Sequence, residues 1–373
     1  LLNPLVEFRN PRPAVLLLAA LILCTFDATA GEIPLAQDAP QPLSPAESAA
    51  QLRLPAGFRI ELVASEPLIS DPSCVAFDAR GRLFVCELHG YNMESHIDVQ
   101  ELNKTGELDR QVRRVRWELE GGKIADEADK RQFGRVKLLH DTDGDGRMDR
   151  ADMWAEGLPP CYGLVPVRDG VIVVCAPDIV FLADRDGDGQ AEVRETLYSG
   201  FRNIYLERGI NNPRQGPDNW IYVGAGGLGG TIEGPHLAAP TTIGDTDFRI
   251  RADGTAIEPV SGKVFTFGLA LNDVGDRFLG RGGTPANYAL PLGDSYLRRN
   301  PHVASPQANY DASDYNRTFR ISRPHPWRVK RRQDPAWIEF YGEGETNSAY
   351  YTAGCGVEFY HGSLFPQEYF GAF

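Results

Sequence analysis

Residues 138–158 read LLHDTDGDGRMDRADMWAEGL, and residues 181–201 read FLADRDGDGQAEVRETLYSGF. The two stretches align without a gap at an offset of 43 residues. Leu139 matches Leu182, Gly157 matches Gly200, and the acidic centres match almost throughout. Equal units at this spacing point to radial repetition, because four-stranded propeller blades recur every ~40–50 residues. A helical solenoid needs amphipathic runs of period about 3.6, and none of sufficient length is present.

Outward from this repeat the same local pattern returns. Residues 75–85, 166–174, 216–223 and 271–279 each read as an apolar strand, a turn carrying Asp or Gly, and a second apolar strand. Asp-Gly between β-branched runs is a hairpin signal. Leu83 and Val171 are 88 residues apart, which is again a multiple of the blade spacing. Gly 39 and Pro 27 supply many turns and favour short strands over long helices. The expected fold is all-β: a propeller of six or seven four-stranded blades over residues 55–373, incomplete at its C-terminus. Residues 31–54, rich in Pro, Ala, Ser and Gln, read as a linker.

The repeated acidic centres have a specific chemistry. Asp141, Asp143, Asp145 and Asp149 occupy positions 1, 3, 5 and 9 of one loop, with Gly146 at position 6. Asp184, Asp186, Asp188 and Glu192 occupy the same positions of the second, with Gly189 at position 6. Calcium takes six to eight oxygen ligands, and the glycine permits the sharp turn that gathers them. Arg147 and Gln190 at position 7 are expected to offer backbone carbonyls. Asp152 and Glu195 at position 12 are expected to add carboxylates. Strand-like flanks make these calcium loops in β-hairpins. Three aspartates within five residues repel one another without a cation. The expected role of the two ions is structural.

Charge and termini narrow the partners. Lys+Arg 38 against Asp+Glu 51 gives a net charge of -13, which disfavours nucleic acid and anionic lipid. The basic run at residues 328–332 reads as a solvated loop. Arg9 and Arg12 precede an eleven-residue apolar run at 14–24, too short to span a bilayer. Ala28-Thr29-Ala30 offers a cleavage site, so residues 1–30 read as an export signal. The mature protein is expected in the periplasm or outside the cell, with no transmembrane helix. The first residue is Leu, so the start is expected to be clipped or misassigned.

Five cysteines follow that site: Cys74, Cys86, Cys161, Cys175 and Cys355. If the first hairpin turns at residues 79–81, Cys74 faces Cys86, either as a disulfide or as two buried thiols. No Cys-x-x-Cys-His occurs, so no c-type haem attaches to this chain.

Residues 356–373 (GVEFYHGSLFPQEYFGAF) resemble a signature of the glucose/sorbosone dehydrogenase propellers. The chain from about Leu54 onward is similar to the N-terminal dehydrogenase-like domain of PVC-type haem-binding CxxCH proteins. The acidic loops and the stretches 216–222 (GPDNWIY), 323–328 (RPHPWR) and 333–337 (QDPAW) carry that likeness. The resemblance implies a periplasmic propeller related to enzymes that oxidise sugars with pyrroloquinoline quinone. It also implies a downstream cytochrome c domain or other electron carrier, so the chain is expected to be a fragment.

Two departures follow from the residues themselves. The sugar enzymes place a His base just before the segment matching 216–218, yet no His lies between His140 and His236. Arg208, Asn211, Asn212 and Arg214 stand there instead, and an Arg stays protonated and cannot act as a base. The cationic quinone-binding residues of those enzymes lie beyond the matching Phe-Pro segment, where this chain ends.

The expected ligand-facing set is Arg208, Asn211, Asn212, Arg214 and Asp218. Arg would position acid groups and Asn would bond hydroxyls. His89, at a strand end, is a further candidate for the channel mouth. The glycine run at 224–230 lacks a following helix and a Lys-Ser/Thr pair, so it reads as a tight loop rather than a phosphate site. Two functions fit: a dehydrogenase-like module acting on a sugar or related alcohol, or a non-catalytic calcium-stabilised propeller binding glycans or a protein.

Overall fold

The computed structural model describes residues 43–88, 134–202, 209–261, 266–282, 284–291, 293–302, 304, 307–313, 335 and 354–373. The chain divides into two compact units, 1–37 and 38–373, and every described residue lies in the second. Residues 1–30, read as an export signal, therefore lie outside the described residues. Among the described residues no helix is long and apolar enough to cross a membrane.

The first sheet runs β1 (Pro72–Phe77), β2 (Leu83–Glu87), β3 (Gly134–His140) and β4 (Arg150–Leu158), each antiparallel to the next. The second runs β5 (Gly163–Val167), β6 (Gly170–Cys175), β7 (Asp178–Ala183) and β8 (Val193–Phe201). In the third, β9 (Asn211–Gln215) and β10 (Ile221–Gly224) are followed by a hairpin of β11 (Gly230–Glu233) and β12 (Thr241–Ile243). That hairpin leaves its own sheet and joins the outer edge of the second through β8. The third sheet resumes with β13 (Phe248–Ile250) and β14 (Ile257–Pro259). The fourth is β15 (Gly268–Leu271), β16 (Arg277–Arg281), β17 (Thr284–Ala289) and β18 (Asn309–Asp311).

The first strands of successive sheets lie side by side: β1 against β5, β5 against β9, and β9 against β15. Four-stranded meanders whose first strands line up in chain order are blades about a common axis, so the fold is a β-propeller. The described residues supply four blades of the six or seven expected.

Strand alternation explains the core. In β6 and β7, Val171, Val173, Cys175, Val180 and Leu182 join a cluster with Phe84, Leu138 and Trp154 of the first blade. Their neighbours Ile172, Val174, Ile179 and Phe181 join Ile221, Val223 and Phe248 of the third. Successive side chains of a strand point to opposite faces, so a strand caught between two blades is apolar throughout. This is why β6 is almost continuously buried, whereas the first half of the outer strand β8 alternates.

The repeat holds at the level of strand register. Leu138 pairs with Asp152 and Leu139 with Ala151, as Phe181 pairs with Glu195 and Leu182 with Arg194. The register shift between Val136 and Lys137 recurs between Ile179 and Val180. Asp78 N–H donates to Arg82 O, and Cys74 faces Cys86 in the register expected for the first hairpin.

One element differs from expectation. The stretch read as linker holds a helix, α1 (Pro45–Gln51), with no buried residue. Ser44 and Glu47 form a reciprocal capping box, which supplies orphan amides at the helix start without any packing.

Candidate functional site

Each acidic loop joins two strands of a blade at its tip. The carboxylate oxygens of Asp141, Asp143 and Asp145 can lie within 4.8 Å of one another, and so can those of Asp184, Asp186 and Asp188. The local fold follows from side chains capping backbone. Asp141 accepts from Gly144 N at 2.8 Å and Gly146 N at 2.9 Å. Asp184 accepts from Gly187 N at 2.6 Å and Gly189 N at 3.1 Å. Gly146 and Gly189 have φ of 89° and 92°, which side-chain-bearing residues rarely adopt. The amide bonds, that of Gly146 foremost, hold the Asp141 carboxyl below the usual carboxylate range.

At position 7 the backbone N–H is the engaged group, not the carbonyl expected as a ligand: Arg147 N donates to Asp145 and Gln190 N to Asp188. Position 9 stays near the tip, where Asp149 accepts from Thr142 and Glu192 from Arg185 N. Position 12 behaves differently. Asp152 Oδ2 lies 2.8 Å from His140 Nε2 and 3.3 Å from Arg150 Nη2. Glu195 Oε1 lies 2.6 Å from His236 Nε2. Neither belongs to the gathered cluster. A strand leaves the loop at about 3.3 Å per residue, so position 12 is carried some 10 Å from position 9, whereas a helix would bring it back.

The second candidate region is a cleft of about 600 Å³ where the first strands converge. Its wall includes Cys74, Tyr162, Asn211, Asn212, Arg214, Cys355 and Glu358. Asn211, Asn212 and Arg214 thus share one wall, but their donors are committed. Asn211 Nδ2 donates to Gly209 O and Thr266 O, each at 2.9 Å. Asn212 Nδ2 donates to Asn211 Oδ1 at 2.6 Å and Phe267 O at 3.0 Å. Arg214 Nε donates to Leu269 O at 3.1 Å, and its Nη2 pairs with Glu358 at 2.7 Å. These side chains staple the third blade to the carbonyls that lead into the fourth. Asn212 also has φ of 50°, a left-handed conformation that Asn tolerates.

Asp218 is not in the cleft wall. It accepts from Tyr222 Oη and Arg249 Nη1, both at 2.9 Å. His89 and Arg208 lie outside the described residues, as do nearly all of the stretches 323–328 and 333–337.

Glu358 is the residue that sequence reasoning missed. Val357 beside it is buried against Gly268 and Gly280, where an added Cβ would come within 3.0 and 2.8 Å of its methyl groups. Gly268 pairs directly with Gly280, and the slot they leave anchors the segment. Alternation then turns Glu358 the other way, toward Arg214. An acidic residue flanked by Val357 and Phe359 was the available signal.

No curated protein matches the chain. Among solved structures, the "putative oxidoreductase (glucose dehydrogenase)" of Thermus thermophilus is similar at 17% identity and a TM-score of 0.37, covering 61% of each chain. The PQQ-bound aldose sugar dehydrogenase from Streptomyces coelicolor is similar at 16% identity and a TM-score of 0.39, covering 68% of this chain and 71% of that one. A luciferin-regenerating enzyme is similar at 10% identity and a TM-score of 0.31, and the chain spans 55% of its length. Residues 44–373 match the family described as "Domain of unknown function (DUF7133)", and the chain belongs to that family.

Proposed function

We propose that the chain is an exported, dehydrogenase-like propeller that holds a neutral, hydroxyl-rich small molecule, a sugar or related alcohol, in its axial cleft. The observation that carries this is the Arg214–Glu358 pair, with side chains 30% and 57% exposed, on the cleft wall. A matched guanidinium and carboxylate present donors and acceptors at no net charge. Hydroxyls, which both donate and accept, suit that pair better than a free acid does. Glu358 would accept from a hydroxyl while Arg214 holds it in place.

Two calcium ions would seat in the acidic loops, on Asp141, Asp143, Asp145 and Asp149 and on Asp184, Asp186, Asp188 and Glu192. The fit rests on oxygen donors gathered without a cation: among the described residues no ion pair is formed by any of the six clustered aspartates. The ions would fix the hairpin tips, where no core packs.

A dehydrogenase reading would require a redox cofactor, for which a quinone is the candidate, and an electron carrier outside this chain such as a c-type haem domain. Pyrroloquinoline quinone is a polycarboxylate. Among the described residues the cleft wall offers one guanidinium, already matched by Glu358. That donor set fits the alcohol and not the quinone. The same matched pair favours a second reading, a non-catalytic glycan-binding propeller, because no imidazole lines the described wall.

Calorimetric titration of the calcium-loaded chain with neutral aldoses, polyols and aldonic acids tests the proposal. Saturable binding of a neutral ligand is expected, weakened about tenfold in Glu358→Gln. Binding of none of them would overturn it. Dye reduction by the loaded chain with added quinone separates the dehydrogenase from the glycan binder.

A further inference from the structure

Residues 58–71, the arm that precedes β1, are clamped to the first blade. Leu88 N donates to Asp71 O at 3.0 Å and Met148 N to Val63 O at 2.8 Å. Ser70 N donates to Glu87 Oε1 at 2.8 Å, and Lys137 Nζ to Leu68 O at 2.9 Å. Ala64 and Ile69 pack against Leu83, Val85 and Leu139. The sequence repeat shows what place this arm fills. Ala191, the counterpart of Met148, donates its N–H to Trp154 O on β4 at 2.7 Å. The arm therefore lies beside the first blade where the outer strand of a preceding blade lies beside the second.

The other end of the arm reaches a different part of the molecule. Residues 53–63 are exposed except for Phe58, which is half-buried. The Phe58 ring meets Phe365 edge-on at 5.1 Å between centroids, and Tyr369 edge-on at 5.5 Å. Phe365 stacks in turn on Tyr360 at 4.6 Å, and its N–H donates to Tyr360 Oη at 2.8 Å. Residues 360–372 close on themselves: Tyr360 N donates to Ala372 O and Gly371 N to Tyr360 O, both at 2.8 Å. Tyr360 stands two residues from Glu358. Edge-on and stacked rings fix a geometry as well as burying apolar area.

The two ends of the arm serve two parts of the axial cleft wall. After Asp71 the chain enters β1, whose Pro72 and Cys74 line the cleft, while Cys355, Gly356 and Glu358 line it from the segment that Phe58 holds. We propose, resting on the cleft as the ligand site, that the arm is a strap that sets the width of the cleft and that Phe58 is its positioning residue. Phe58 is not part of the wall and touches no ligand. It holds the segment carrying Glu358 at a fixed distance from β1. The Glu358 carboxylate is more than half exposed, and an ion pair at that exposure fixes it weakly. Its position therefore depends on its backbone. Val357, in its glycine slot, fixes that backbone against the fourth blade, and Phe58 fixes it against the first.

The test is hydrogen–deuterium exchange of the full chain, together with calorimetric titration by the tightest-binding neutral aldose or polyol. Phe58→Ala is expected to speed exchange about tenfold across residues 354–373, where the Gly356, Tyr360 and Gly371 amides lose protection, and to weaken ligand binding about fivefold. Exchange across β6 and β7 should stay unchanged. Phe58→Tyr keeps the ring and should behave as the wild type in both measurements. Tyr369→Ala removes the facing ring and should reproduce the losses with the arm intact. Unchanged exchange across 354–373 in both alanine variants, an equal rise across β6 and β7, or faster exchange with unaltered ligand binding would each overturn the proposal. A wild-type chain that binds no aldose or polyol overturns the ligand reading of the cleft instead, and the exchange measurements still decide whether the arm is a strap.

Discussion

The hairpin tips and the wall of the axial cleft hold their polar groups in opposite states. At the tips, Asp141, Asp143 and Asp145, and likewise Asp184, Asp186 and Asp188, are gathered on exposed loops and bonded mainly to their own backbone amides. In the cleft, Asn211, Asn212 and Arg214 donate to carbonyls of Gly209, Thr266, Phe267 and Leu269, and Arg214 has its own carboxylate partner. Polar residues at a conspicuous place therefore do different jobs. The tips hold carboxylates that form no ion pair among the described residues, as the proposed cation sites require. The cleft has little unused capacity beyond one matched ion pair, and most of its polar groups hold blades together.

Removing calcium should give the largest effect. Chelation is expected to lower the thermal midpoint by about 10 °C, with recovery on adding calcium back. An unchanged midpoint would break the comparison from the side of the loops. The next effect is on the other side. Asn211→Ala should cost about 2 kcal/mol in denaturant unfolding, because it strands the carbonyls of Gly209 and Thr266 in a buried site. A variant that loses ligand binding but keeps full stability would show that Asn211 faces a ligand rather than a neighbouring blade.

The legibility of the molecule follows the range of its interactions. The first hairpin was readable because Asp78 and Gly81 build a local turn that sets Cys74 against Cys86. The two acidic loops were readable because one pattern occurs twice, and the register repeats with it down to the irregularity at Val136 and Ile179. Position 12 lies apart from the clustered aspartates because these loops run into strands rather than helices. That left Asp152 beside His140 and Glu195 beside His236. Helix α1 was overlooked although Ser44 and Glu47 have the capping-box spacing. The migration of β11 and β12 to the second blade depends on pairing with Phe201 and Ser199, some thirty residues away, and short strands carry no mark of that choice. Glu358 and the committed bonds of Arg214 were hidden for the same reason, since their partners lie far along the chain.

The most direct test of the account is the number of calcium ions bound. Equilibrium dialysis of the wild-type chain, followed by metal analysis, should find two ions per chain. Asp145→Asn and Asp188→Asn should each leave one. A wild-type chain that retains no calcium, or variants that retain as much as the wild type, would contradict the assignment of the acidic loops as cation sites.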